Sequence, residues 1–251
     1  MAYLTGFHAI EERIKASAAN CVLLAAKPGP RAREILALAV ARGVRVLRSG
    51  TAELDRISPG HRGLALEADD GGSSALLTLE SFLETVDDKK NVLVVMLDEI
   101  TDPHNFGAIL RSCDQFNADI VITRNKRNAG HAAVIAKTSA GASAWVPVTE
   151  VANLPRAIEQ LKEAGFWVYG ADMGGGLIYK TSLPGRLCVI FGGEGAGLSR
   201  LLREKCDALI AVPSLGRIDS LNVSVAAGII LYEIIRQRGQ PLTPASSKQR
   251  P

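Results

Sequence analysis

Three stretches of this chain place polar side chains and glycine directly after apolar runs, a pattern suited to ligand chemistry. The first runs Thr101-Asp102-Pro103-His104-Asn105 and leads, six residues on, to Arg111. The second is Gly192-Gly193-Glu194-Gly195-Ala196-Gly197, and the third spans residues 216–222 and carries Ser220 and Asn222. An arginine beside such a turn can clamp a phosphate with two parallel hydrogen bonds. A carboxylate between glycines, such as Glu194, can anchor a polar ligand that presses against bare backbone. An amide inside an apolar segment, such as Asn222, needs hydrogen-bonding partners and serves either as structural glue or as part of a site.

Each residue also has a plainer reading. At about 100° per residue, Arg111 lies well off the apolar face centred on Ile109 and Leu110, as a solvated arginine would. Asn105 precedes the apolar periodicity and is a candidate helix N-cap, worth about 1 kcal/mol. Glu194 can be an exposed turn carboxylate, and Ser220 can cap the last helix. His61 and His104 are lone histidines with no metal-ligand spacing. Arg124, Lys126 and Arg127 form either a solvated loop or a phosphate-binding rim. The glycine run lacks the G-x-G-x-x-G spacing, and no G-x-x-x-x-G-K-[ST] occurs, so neither nucleotide fingerprint is present.

The elements that must position these residues follow from periodicity. Residues 92–97, 119–123, 166–170, 188–191 and 209–212 read as short apolar strands, with a further strand at 145–148. Between them, Phe106, Ile109, Leu110 and Cys113 mark one helix, and Leu154, Ile158 and Leu161 another. Residues 132–140 read as a weak helix of small residues. The last helix is expected from about Leu221 to Arg238, with a first half apolar all round and therefore buried. Strand–helix alternation predicts an α/β domain on a mainly parallel sheet. In such a sheet the three polar turns meet at the carboxyl edge, where ligands bind. Residues 4–68 read as a smaller α/β unit with helices over 7–14 and 31–42. The Gly/Ser-rich Asp69-Asp70-Gly71-Gly72-Ser73-Ser74 reads as a linker. The tail after Gly239 has no apolar periodicity and is expected to be disordered.

The totals set outer bounds. The 251 residues suffice for two ordinary domains, and 47% apolar with 22% charged is the balance of a soluble globular chain. A net charge of +3 and a pI near 8.7 permit a nucleic-acid partner without requiring one. Cys21, Cys113, Cys188 and Cys206 form no Cys-x-x-Cys pair, so no metal site is expected, and Cys188 and Cys206 read as buried thiols. No signal peptide and no membrane-spanning run is evident, which points to a reduced, cytoplasmic setting.

Taken together and in order, three motifs resemble those of the SpoU (TrmH) family of RNA ribose 2′-O-methyltransferases. They are Asn105-Phe106-Gly107-Ala108-Ile109-Leu110-Arg111, Phe191 through Leu198, and Ile210-Ala211-Val212-Pro213 followed by Ser220-Leu221-Asn222-Val223-Ser224-Val225-Ala226. The likeness covers residues 91–238. Gly6-Phe7-His8-Ala9-Ile10 and His61-Arg62-Gly63 resemble the L30e-like RNA-binding domain of bacterial members acting on a 23S rRNA guanosine. The resemblance implies an L30e-like domain over residues 1–70, a linker over 71–80, a trefoil-knotted SPOUT methyltransferase domain over 81–240 and a tail over 241–251. It implies S-adenosylmethionine as cofactor, RNA as substrate, and a homodimer with each site near the interface. By motif, Gly192, Val212 and Leu221 fall on cofactor contacts, and Asn105, Arg111, Glu194, Ser220 and Asn222 on the family's polar positions. The alternatives are a tRNA ribose methyltransferase of the same family and a non-catalytic RNA-binding protein that kept the fold.

Overall fold

The computed structural model describes residues 2–16, 21–57, 61–68, 78–86, 91–124, 139, 142, 146–193, 195, 197–217 and 220–239. Outside them lie Glu194, Asp219, Lys126, Arg127, the Gly/Ser stretch 69–74, the weak helix at 132–140 apart from Ser139, and the tail after Gly239.

The front unit runs β1 (Ala2–Leu4), α1 (Phe7–Ala16), β2 (Cys21–Ala25), α2 (Pro30–Ala41), β3 (Arg45–Arg48), α3 (Thr51–Ile57) and β4 (Leu64–Ala68). Its strands form a four-stranded sheet in the order β1-β4-β2-β3. β2 pairs β3 in parallel and β4 antiparallel. Alternate residues of β2 face opposite ways. Cys21, Leu23 and Ala25 pack with Ile10, Ile14, Ile35 and Ala39, while Leu24 packs with Leu54.

The second unit begins with α4 (Leu79–Glu84), followed by β5 (Val92–Asp98), α5 (Pro103–Gln115), β6 (Ile120–Arg124), β7 (Val148–Val151) and α6 (Leu154–Glu163). β8 (Trp167–Leu177), a 3-10 turn (Ile178–Lys180), β9 (Arg186–Gly192), α7 (Arg200–Lys205), β10 (Ala208–Ala211) and α8 (Val223–Gln237) complete it. The strands form a six-stranded sheet ordered β10-β8-β9-β5-β6-β7, parallel throughout. β5 is buried along its whole length because both of its faces are covered. Leu93, Val95 and Leu97 join the core under α5 and α8; Val92, Val94 and Met96 join the opposite core, under α4, α6 and α7. Each such side chain, fully buried, contributes about 1.5–3 kcal/mol. Cys113 and Cys188 are buried in these two cores, where burial pushes both thiols up, Cys113 to about 12. Cys206 is only half-buried, and its Sγ donates to the Leu202 carbonyl. No helix among the described residues is long and apolar enough to cross a membrane.

Three expectations need correction. The strand expected at 145–148 begins at Val148 instead, because Pro147 has no N–H to donate to a ladder. β8 extends past Gly170 to Leu177: β10 pairs with it up to Gly170 and resumes at Gly176, so residues 171–175 leave the ladder as a bulged excursion. The last helix starts at Val223 rather than Leu221, and its first half is not buried all round. Ala227, Ile230, Leu231 and Ile234 enter the core, but Val225, Ile229 and Tyr232 are 50%, 39% and 46% exposed. One face of α8 is used up against the sheet and α5, and the other, carrying Val225, Ile229 and part of Tyr232, is left largely exposed.

The end of α8 is stapled to the start of the sheet. The Arg238 guanidinium donates to the carbonyls of Val92 (3.0 Å) and Gly185 (2.7 Å). Arg236 instead reaches back to Glu233 with two 2.7 Å bonds, and together with Gln237 holds that carboxyl down at about 2.

Candidate active site

Parallel pairing brings the ends of β5 and β9 level: Asp98 stands opposite Gly192 in the register. The turns that follow them leave the sheet at the same edge, as does the turn after β10.

After Gly192 the backbone doubles back. Gly193 and Gly197 form an isolated antiparallel bridge, and the Gly197 N–H donates to the Gly193 carbonyl at 3.0 Å. Gly192 itself has no room for a side chain. A Cβ there would lie 2.1 Å from the Gly197 carbonyl carbon and 2.3 Å from the Leu198 nitrogen. Asp98 pins the far end of this turn: its carboxylate is 4% exposed and accepts from the Ser199 N–H at 3.0 Å. Asp98 was not singled out from the sequence. The signal was a carboxylate ending a strand that is otherwise wholly apolar, where only a structural or ligand role justifies the desolvation.

Asn105 is not the N-cap of its helix. Asp102 is, accepting from the His104 N–H at 2.9 Å, with Pro103 in the first turn. Asn105 is thereby the third residue of the helix and buried, at 7% exposure. Its Oδ1 accepts from Asn222 Nδ2 at 3.0 Å across 117 residues of sequence. Asn222 in turn is the N-cap of α8 rather than a residue one turn inside it. Its Oδ1 accepts from the Ser224 N–H (2.9 Å), the Ser224 hydroxyl (2.6 Å) and the Val225 N–H (3.4 Å). The pair therefore ties the start of α5 to the start of α8 beneath the carboxyl edge. Further along, the two helices touch closely: a Cβ on Gly228 would lie 3.6 Å from Ser112 Oγ, and Phe116 meets Tyr232 edge-on at 6.2 Å.

The other sequence-selected residues fall as follows. Arg111 is exposed on α5 and makes no ion pair among the described residues. Val212 is partly buried against the α5–α8 core. Leu221 is 43% exposed and Ser220 is exposed, both in the turn just before the α8 cap. His104 is exposed, whereas His61 is buried in the front unit. The geometry thus joins Asn105 to Asn222 and leaves Arg111 facing outward, in no contact with either.

The substitution Asn105→Ala separates a structural role from a functional one. It strips Asn222 Nδ2 of its acceptor, so stability should fall by about 1 kcal/mol. Turnover is expected to fall at least tenfold. A melting-temperature drop with unchanged activity would make the asparagine pair a helix tie alone.

A parallel sheet covered on both faces, with a glycine turn and two cross-linked helix starts at its carboxyl edge, is the class of α/β architecture in which ligands bind at that edge. Residues 92–232 match the model of the SpoU rRNA Methylase family, and residues 3–70 match that for RNA 2′-O ribose methyltransferase substrate binding. An uncharacterized tRNA/rRNA methyltransferase of Borreliella burgdorferi is 42% identical over 84% of this chain and 96% of its own length. The 23S rRNA (guanosine-2′-O-)-methyltransferase RlmB of Neisseria meningitidis is 38% identical over 93% of this chain and 94% of its own. The crystal structure of an AdoMet-bound rRNA methyltransferase from Sinorhizobium meliloti superposes with a TM-score of 0.76 at 22% identity, covering 94% of this chain and 87% of that one. The chain belongs to the SpoU rRNA methylase family.

Proposed function

We propose that this protein transfers a methyl group from S-adenosylmethionine to the 2′-hydroxyl of a guanosine in 23S rRNA. The observation that carries the reading is the end-to-end match to the Neisseria enzyme, which spans the substrate-binding unit and the methylase unit alike. We read residues 1–70 as the RNA-binding domain, 81–240 as the catalytic domain with a threaded C-terminal segment, and the cytoplasm as the setting in which rRNA is met.

The residues at the carboxyl edge fit the cofactor. Gly192 lets the Gly197–Leu198 backbone close against it, shaping the turn at this edge, and Val212 and Leu221 supply apolar surface in the turn after β10. When bound, S-adenosylmethionine supplies a methyl on a positively charged sulfur, so transfer neutralises charge and positioning dominates the rate. Arg111 is assigned to the substrate. An arginine side chain keeps its proton in proteins, so it acts as a clamp: it orients phosphate and ribose and stabilises the developing negative charge on the 2′-oxygen. The proton of the 2′-hydroxyl passes to a phosphate oxygen or to water. Asn105 and Asn222 hold the two helix starts in place, and Ser220 and Glu194 are assigned to the polar part of the site.

A second copy of the chain is the partner assigned to the open face of α8. Val225, Ile229 and Tyr232 recur at helical spacing, so their exposed apolar surface forms one stripe beside the helix that bears Arg111. Ile229→Glu should convert a dimer into a monomer in sedimentation and lower turnover in parallel.

The test is transfer of labelled methyl from S-adenosylmethionine to unmodified 23S rRNA, with the site mapped by mass spectrometry. A 2′-O-methylguanosine is expected. Label on a base or on tRNA alone would refute the assignment.

A further inference from the structure

The front unit concentrates positive charge and backbone strain on one edge of its sheet. Arg48 at the end of β3, Ala25 at the end of β2 and Leu64 at the start of β4 lie in one row across the strands. Lys27 follows this row by two residues and Arg62 precedes it by two. Both adopt left-handed backbone, with φ of 44° and 50°, a conformation that side-chain-bearing residues seldom take. The two turns lock each other. The Ala26 N–H donates to the Gly63 carbonyl at 3.0 Å, and a Cβ on Gly63, whose φ is 89°, would lie 2.8 Å from the Ala26 carbonyl oxygen.

His61 is the internal strut. It is 8% exposed, and its Nδ1 accepts from the Gly63 N–H at 2.8 Å. In the neutral ring the proton then sits on Nε2, which lies 3.2 Å from Asp55 Oδ1. The carboxylates around this edge have other partners: Glu53 accepts from Ser49, Asp55 faces His61, and Glu11 and Glu34 bind Arg31. Lys27, Arg48 and Arg62 are exposed and pair with no carboxylate among the described residues. The helices α1 and α2 also begin at this edge, and α2 starts at Gly29 without a side-chain cap. Helix starts and unpaired cations add to one positive field. Strain of this kind persists where the surroundings over-determine it and where it presents a side chain for use.

We infer that Lys27 and Arg62, held outward by the locked turns at 26–29 and 61–63 with Arg48 beside them, grip the phosphate backbone of the RNA substrate. This rests on the RNA reading above and names the residues by which the front unit holds its substrate. Phosphate contacts position a nucleic acid without reading its sequence, so they act on binding rather than on chemistry.

The full chain with the double substitution Lys27→Gln and Arg62→Gln tests this on unmodified 23S rRNA transcript. KM for RNA should rise at least tenfold, while kcat at saturating RNA and the affinity for S-adenosylmethionine stay within twofold. The slope of log affinity against log salt should fall by about 1.5, the value for two lost phosphate contacts. The charge-keeping pair Lys27→Arg and Arg62→Lys should restore KM. Arg42→Gln, at the opposite end of α2, should leave it unchanged. Methylation by the wild type with unaltered KM and salt slope in the double variant would overturn this inference alone. No methylation by the wild type would overturn the functional reading and this inference together.

Discussion

Arg111→Lys is expected to lose about 100-fold to 1,000-fold in turnover while still binding S-adenosylmethionine. The charge is kept, so long-range attraction of RNA hardly changes. What goes is the planar fork that can hold two phosphate oxygens at once and fix the ribose relative to the methyl donor. Misplacement of a reacting group by about 1 Å costs on the order of 100-fold, which sets the lower end of the range. The exposed position of Arg111, free of ion pairs among the described residues, makes a folding defect an inadequate explanation of any loss. Rapid-quench methyl transfer and calorimetry with the cofactor check the two halves. Turnover within threefold of wild type would exclude the clamp.

Gly192→Ala should abolish cofactor binding. The added methyl would sit 2.1 Å from a backbone carbon and 2.3 Å from a backbone oxygen of Gly197, well inside contact distance. Neither atom is the tip of a flexible side chain, so the turn between Gly193 and Gly197 must open. Overpacking of this sort costs about 1–3 kcal/mol of stability. The larger effect is local, because the same backbone forms the wall of the cradle proposed for the cofactor. Calorimetry should show affinity for S-adenosylmethionine reduced more than 100-fold, with the circular dichroism spectrum retained. Binding within fivefold of wild type would place the cofactor elsewhere.

The sheet was legible where burial is two-sided. A strand such as Val92–Asp98, covered by both cores, leaves an unbroken apolar run that few other structures produce. The candidate site was proposed mainly from its motifs, and local rules misplaced its asparagines in their helices. Asn105 has the composition of an N-cap, but Asp102 followed by Pro103 is the stronger start signal, and the true role of Asn105 depends on a partner 117 residues away. No local pattern encodes that contact. Asp98 escaped notice because its function is to accept one backbone N–H from a turn 101 residues downstream. The open face of α8 was missed for a different reason. An apolar helix surface is the same in sequence whether it meets its own core or a second chain. The bulged excursion of β8 after Gly170 follows the same rule, since the register of β10 against it is set by tertiary packing rather than by the residues of β8.

The Arg238 staple fixes an order of events during synthesis. The strands of the second sheet end at Ala211, but the clasp onto its first strand waits for residue 238, whose side chain donates to the Val92 carbonyl. The four-stranded front sheet is complete once residue 68 has emerged. At about 5–20 residues per second, the ribosome needs about 10–35 s to make the chain between those points. For that interval the nascent protein carries its cationic edge without a finished catalytic centre. Long-range parallel pairing then adds a slow search of its own. A chain that stops short of residue 238 lacks the clasp, so premature termination leaves a front unit that can form its own sheet and a second unit without the two bonds from Arg238 to Val92 and Gly185.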